Sequence, residues 1–230
     1  MSHEAISSTF DSWVESGKAD RLEQNHSDVA HQVFEHLDIR AGMQTLDLGC
    51  GTGWATRILA AKAPGAGAIG IDVSSAMIKR AEALHDLTSR ARYETGPFEA
   101  IDFKDGKFDR VFSMEALYYA VDLEKTLSEV HRVIKPGGLA HLVVDRYKES
   151  PHTECWAEMV GIPMHWLGED EWKSALEAAG FAEVSTERVI DRRGAGDEAS
   201  FTPSTHTPDF KTANELHQAG SLYLRGTKPE

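Results

Sequence analysis

Cysteine is scarce in this 230-residue chain: Cys50 and Cys155 lie far apart, which excludes a disulfide framework and suits a reducing compartment. Long apolar runs are missing as well. No stretch approaches the ~20 apolar residues of a bilayer span, and MSHEAISSTF lacks the basic start and apolar run of a secretory signal. Positive charge is short too, with 24 Lys and Arg against 37 Asp and Glu and a formal net charge of −13. That surplus repels nucleic acid and anionic membranes, and the short Asp191-Arg192-Arg193 cluster reads as a solvated strand end. A saline habitat and ordinary solubility explain the acidity equally well. The expectation is a soluble cytoplasmic protein, monomer or homodimer, with no nucleic-acid and no membrane partner. Two phosphate-binding patterns are also absent. No G-x-x-x-x-G-K-[ST] occurs, and G-x-G-x-x-G fails in both registers, reaching Trp54 from Gly49 and Thr56 from Gly51.

What is present centres on Thr45 to Trp54, TLDLGCGTGW. Leu46 and Leu48 alternate with Asp47 as a buried strand requires, and Gly49, Gly51 and Gly53 bring the backbone close to a ligand at the start of a helix. Trp54 leaves little room for a pyrophosphate and suits a ligand without one. Strand and helix periods then alternate as in an α/β protein with a mostly parallel sheet and crossover helices. Strands are expected at 44–50, 68–73, 92–96, 108–114, 139–145, 184–191 and 221–225, with helices at 53–62, after Ser74 or Ser75, from Asp122 to Pro136-Gly-Gly138, and at 170–179. The length suits one domain, with a helical N-terminal lid (1–40), a ligand-binding core (41–146), and a cover followed by the last helix and strands (147–230).

The run LDLGCGTG resembles the first motif of the class I S-adenosylmethionine-dependent methyltransferases. Gly70-Ile-Asp72-Val-Ser, Phe108-Asp-Arg-Val-Phe-Ser113 and Arg132-Val-Ile-Lys-Pro-Gly-Gly138 continue the likeness in order. The resemblance is nearest to the small-molecule type, similar to the ubiquinone and menaquinone biosynthesis methyltransferases. It implies a Rossmann-like seven-stranded sheet ordered 3-2-1-4-5-7-6 with the last strand antiparallel, S-adenosyl-L-methionine as cofactor, and methyl transfer to a small-molecule acceptor. A nicotinamide-dependent dehydrogenase and a non-catalytic S-adenosylmethionine-binding module are the alternatives. The absence of an Asn/Asp-Pro-Pro-Tyr run after the fourth strand argues against a nucleobase acceptor.

Ligands of such sheets sit beyond the strands' carboxyl ends where strand order reverses. Asp72 then accepts the ribose hydroxyls, and Val73 and Met77 flank the adenine. Asp47 orients the glycine loop through its amides, because a buried carboxylate needs partners. Cys50 is a small buried loop residue. Pro97 stands where the family usually has an aspartate, which leaves adenine recognition to Phe98 or Glu99. Ser113 and Met114 close the list of cofactor-binding residues. Glu115 leads the candidates for a catalytic base, with Tyr118, Tyr119, Asp145, His152 and His165 near the same edge. The lid carries Trp13, Arg21, His26 and His31. His26, His31 and His36 step by about 140° on a helix and share no face, so no metal site is expected. Trp156, His165 and Trp166 line an acceptor pocket or anchor the cover.

Overall fold

The computed structural model describes residues 2–86, 88–204 and 206–230. Seven strands form one sheet: β1 (Gln44–Leu48), β2 (Gly67–Asp72), β3 (Ala91–Thr95), β4 (Phe108–Met114), β5 (Ile134–Val144), β6 (Ala182–Val189) and β7 (Ser221–Thr227). Their order is β3-β2-β1-β4-β5-β7-β6, and β7 runs antiparallel to both β5 and β6. This is the Rossmann-like arrangement that the motifs imply. Every residue of β2 is buried, so its alternation has no solvent face to mark. Gly70 lacks a side chain for a local reason: a Cβ there would lie 2.7 Å from both Cys50 Sγ and Thr56 Oγ1.

Helices cover both faces. α3 (Trp54–Ala61), α4 (Ser75–Ala83), α5 (Leu123–Val133) and α7 (Glu169–Ala178) are the crossovers, and α6 (Trp156–Val160) and α8 (Phe210–Ala219) belong to the cover. Ser74 caps α4 by accepting from Met77 N at 3.0 Å, and Asp122 caps α5 by accepting from Lys125 N at 3.0 Å. Leu127, Val130 and Val133 of α5 are fully buried against the sheet.

The triplet Pro136-Gly137-Gly138 behaves otherwise than as a plain helix stop. α5 ends at Val133, but β5 begins at once and carries the triplet inside the strand. Ile134 pairs with Phe108 and Leu139 with Arg110, so residues 135–138 bulge opposite Asp109 alone. A Cβ on Gly138 would stand 2.5 Å from Ile134 Cγ2 and 3.0 Å from the Asp109 carbonyl. Gly137 N donates to Lys228 O and Lys228 N to Gly138 O, both at 2.9 Å, so the end of the chain clamps the bulge.

The segment read as one lid is two helices of different character. α1 (His3–Glu15) is mostly exposed and lies against α4, where Asp11 Oδ1 accepts the Ser74 hydroxyl at 2.5 Å. After Gly17, at φ +73°, and a short 3-10 turn comes α2 (Leu22–His36). It buries Val29, Ala30, Val33 and Phe34 against Trp54, Leu59, Phe112 and Tyr223. Phe34 meets Phe112 edge-on at 5.0 Å. With each buried Val or Phe side chain worth ~1.5–3 kcal/mol, α2 is a wall of the core rather than a flap.

Candidate active site

Where the order reverses between β1 and β4, the loop after β1 turns under the start of α3. Gly49, Gly51 and Gly53 all have positive φ, of 79°, 51° and 72°. Gly49 N and Cys50 N donate to Ile71 O at 2.8 and 3.0 Å, which binds the loop to β2. Asp72, at the end of β2, finishes the job: Oδ2 accepts from Gly51 N and Oδ1 from Ser74 N, both at 2.9 Å.

Asp47 has a different partner from the one anticipated. Thr56 Oγ1 donates to it at 2.6 Å, so it ties β1 to the first turn of α3 while Asp72 holds the loop amide. Burial pushes Asp47 up to about 7 and Asp72 up to about 6. Burial also raises the Cys50 thiol well above its usual range, so it is a buried neutral group and not a ready nucleophile.

A cavity of about 260 Å³ opens over this loop. Asp47, Gly49, Cys50, Gly51, Asp72, Val73, Met77, Pro97, Phe98, Glu99 and Met114 all reach it, as do Glu115, Tyr118 and Tyr119. Gly53 and Ser113 do not line it. Gly53 is required by packing, since its Cβ would strike the Tyr93 ring at 2.4 Å, and Ser113 donates to Leu48 O at 2.7 Å to join β4 to β1. Glu99 is fully engaged: Oε1 accepts from Val121 N and Asp122 N, at 2.7 and 3.0 Å, and Oε2 pairs with His3 Nε2 at 2.7 Å. Ile6, Phe10 and Trp13 of α1 close the roof, with Phe10 edge-on to Tyr119 at 5.0 Å.

The leading base candidate is tightly held. Glu115 sits in the left-handed region at φ +55°, Tyr118 Oη donates to its Oε2 at 2.8 Å, and Asp145 N donates to its Oε1. Burial, with Asp145 nearby, raises its pKa well above the carboxylate range. Both oxygens are occupied, so Glu115 braces Tyr118 and the segment after β5. Tyr118 itself is pushed well up by burial.

The other edge candidates scatter. Asp145 lines the cavity; His152 pairs with Glu215 at 2.6 Å on the exposed surface; His165 Nε2 bonds Ala120 O at 2.9 Å and anchors the turn after β4. Trp156 reaches the cavity, whereas Trp166 does not and instead lies under Arg146. His26 also faces the cavity, His31 bonds Ser27 O at 2.6 Å, and His36 packs on Tyr223. Arg21 lies in the 3-10 turn and does not line the cavity. Among the described residues no group of three or more His, Cys, Asp or Glu is arranged to hold a metal. Nor is any helix there long and apolar enough to cross a membrane. Sequence reasoning missed Asn25 and His206. Neither carries a motif, and His206 is separated from the loop it faces by most of the chain.

A glycine loop in which Gly49 and Gly53 have no room for side chains, a carboxylate at the neighbouring strand end and apolar surface beside it define a site for a nucleoside carrying an amino-acid tail. The comparisons agree. A family model described as a methyltransferase domain matches residues 46–142. A chain from the solved complex between the Haloferax volcanii Trm112 methyltransferase activator and a protein assigned there to the methyltransferases superposes with a TM-score of 0.87. It is 30% identical, covering 96% of this chain and 98% of its own. Sterol 24-C-methyltransferase of Aspergillus fumigatus is 30% identical over 177 residues, 72% of this chain and 46% of the relative. Squalene methyltransferase 1 of Botryococcus braunii is 42% identical over 118 residues, 49% of this chain and 31% of the relative. The chain therefore spans less than half the length of these curated relatives. It belongs to the class I S-adenosylmethionine-dependent methyltransferases, with S-adenosylmethionine as cofactor.

The residues present fit that cofactor. A Cβ on Gly49 would fill the space beneath the cradle, 2.2 Å from Ala116 Cβ. Asp72 lines the cavity, and Val73, Met77 and Phe98 supply apolar surface for a base.

Proposed function

We propose that this chain transfers a methyl group from S-adenosylmethionine to a small-molecule acceptor in the cytoplasm. The observation that carries this reading is the Asp72 carboxylate, held by the glycine loop and the cap of α4 at the edge of the cavity beside the apolar surface of Val73, Met77 and Phe98. In it Asp72 accepts the ribose hydroxyls, Val73, Met77, Pro97 and Phe98 enclose the adenine, and the loop amides face the amino-acid tail. The sulfonium supplies an activated methyl group. The chain's contribution is alignment and the exclusion of water by Phe10, Trp13 and Tyr119.

Titration calorimetry tests the reading: S-adenosylhomocysteine binds with micromolar affinity, and incubation with S-adenosylmethionine and a metabolite pool releases S-adenosylhomocysteine. The Haloferax neighbour was solved with an activator bound, whereas this chain is proposed to act as a monomer or homodimer. Titrating it alone and again after co-expression with a Trm112-type protein separates a self-sufficient enzyme from one needing such a subunit. Absence of binding in both states would sink the proposal.

Donor binding should also depend on pH, with a definite sign. Burial raises Asp72 to about 6 in the unliganded fold, so the stability this group supplies is full below about pH 4 and lost as pH rises through 6. A ribose favours the ionised form. The Kd for S-adenosylhomocysteine is therefore expected to be about tenfold weaker at pH 5 than at pH 7.5, and the increase in Tm on adding it should grow across that interval. A ligand-induced Tm shift that is flat from pH 5 to 7.5 would contradict the role of Asp72.

A further inference from the structure

A second cavity, of about 290 Å³, adjoins the first and is bounded by α2, the segment after β5, the end of β6 and α8. The two share a mouth formed by Asn25, His26, Met114, Asp145, Trp156 and His206. Two buried polar atoms at that mouth have no hydrogen-bond partner: Asp145 Oδ1 and Trp156 Nε1. A buried polar group without a partner is costly, and a charged one more so.

Among the described residues no cation donates to Asp145 Oδ1. Arg193 is committed to Asp191, with further bonds to the carbonyls of Gln24 and Asn25. Arg146, next in the chain, donates from Nη2 to Glu154 O and lies over Trp166; its buried Nε and Nη1 have no partner among the described residues and do not bond Asp145 Oδ1. Glu115 is closed off by Tyr118 and by Asp145 N. Asp145 therefore faces the mouth with an oxygen to spare, beside two imidazoles and an indole.

We propose that the second cavity holds the methyl acceptor, that the acceptor is a small cationic amine, and that Asp145 binds its ammonium while His26 takes its proton. The proposal rests on the methyl-transfer reading above and names its substrate class. An apolar acceptor of the size of a sterol would leave Asp145 Oδ1 unpaired. A neutral hydroxyl would supply a bond but no charge. An ammonium supplies both, and the Trp156 ring offers it a π face.

His26 suits the assigned role. Burial lowers its pKa, keeping the imidazole neutral, while the field of Asp145 favours the imidazolium once a proton arrives. Asp191 also favours the imidazolium and Arg193 opposes it; His206 and His217 line the chamber, and Glu115 lines the donor side. In the step, His26 accepts a proton from the ammonium. The nitrogen lone pair so freed forms a bond to the methyl carbon as the carbon–sulfur bond breaks, with that electron pair staying on sulfur. The products are a protonated methylamine and a neutral thioether, and His26 returns its proton to water.

Three measurements test this. In the first, the C2–H resonance of His26, assigned by its loss in His26→Gln, titrates below 6.5 in the protein alone and lower still in Asp145→Asn. An unchanged titration in Asp145→Asn overturns the pairing. Second, S-adenosylmethionine with a deuterated methyl group is incubated with the protein and a small-molecule extract split by cation exchange. Label is expected in the retained, cationic fraction; label in the neutral lipid or anionic fraction, or in none, overturns the amine assignment.

Third, His26→Gln lowers labelling at least 100-fold, moves the rising limb of the pH–rate profile to higher pH, and leaves the Kd for S-adenosylhomocysteine within threefold. Wild-type labelling, or an unmoved profile, removes His26 from the mechanism. Failure of the wild type to bind S-adenosylhomocysteine would instead strike the donor reading itself, so the two failures are distinguishable.

Discussion

Asp72→Ala is expected to weaken S-adenosylhomocysteine binding by about 100- to 20,000-fold. Two charge-assisted hydrogen bonds to the ribose at ~1.5–3 kcal/mol each are lost, and ~1.4 kcal/mol corresponds to tenfold in Kd. The substitution also frees Gly51 N and Ser74 N, which now bond to its two oxygens at 2.9 Å. Asp72→Asn separates these effects. Its carbonyl still accepts one bond while its NH2 opposes the other amide, so an intermediate loss of about 10- to 50-fold is expected. Calorimetry reads the affinity, and the melting curve without ligand shows that the fold survives. A Kd within threefold of wild type in Asp72→Ala would remove this carboxylate from the donor site.

Gly49→Ala should be the most damaging single methyl group that can be added to the loop. The new Cβ would stand 2.2 Å from Ala116 Cβ and 3.3 Å from Phe98 Cζ, at a φ of +79° that alanine adopts only with strain. Overpacking at ~1–3 kcal/mol and left-handed strain at ~1–2 kcal/mol sum to roughly 3–4 kcal/mol, or about 10 °C in Tm for a chain of this size. Donor binding should fall below detection, because Ala116 and Phe98 both line the cavity. The companion Ala116→Gly removes the shorter contact and leaves the strain. The double variant is therefore expected to recover about half of the lost stability, a coupling that thermal melts of the four proteins would resolve. Strict additivity would show that the contact is not the cause.

Much of this architecture was legible in the residues. The strands before the glycine loop, Asp72 and Ser113 showed themselves because each couples an apolar run to a turn or a polar end, and local chemistry alone dictates that. Legibility failed where distant pairing outweighs local preference. Pro136-Gly-Gly138 has the composition of a helix terminator, yet the pairing of Ile134 with Phe108 and the clamp from Lys228 keep it within a strand. Asp47 was rightly read as a buried carboxylate needing partners, but Thr56 meets it at 2.6 Å, and one sequence does not show which hydroxyl a side chain meets. Glu115 had the right address. Its two oxygens are spoken for by Tyr118 and a backbone amide, whereas His26, placed on the lid without a catalytic role, faces the cavity. Tertiary contacts decide which polar group is left free, and periodicity carries no record of them.

α2 presents Asn25, His26 and Val29 to the cavities and Val33 and Phe34 to the interior. A single rigid rod thus sets both what enters and whether the protein stays folded. α1 is set off from it by Gly17, at positive φ, and is fastened by Asp11 to Ser74 and by His3 to Glu99. Evolution toward a new acceptor is channelled accordingly: exchanges on the outer helix are cheap, while those on the inner one tax the whole molecule.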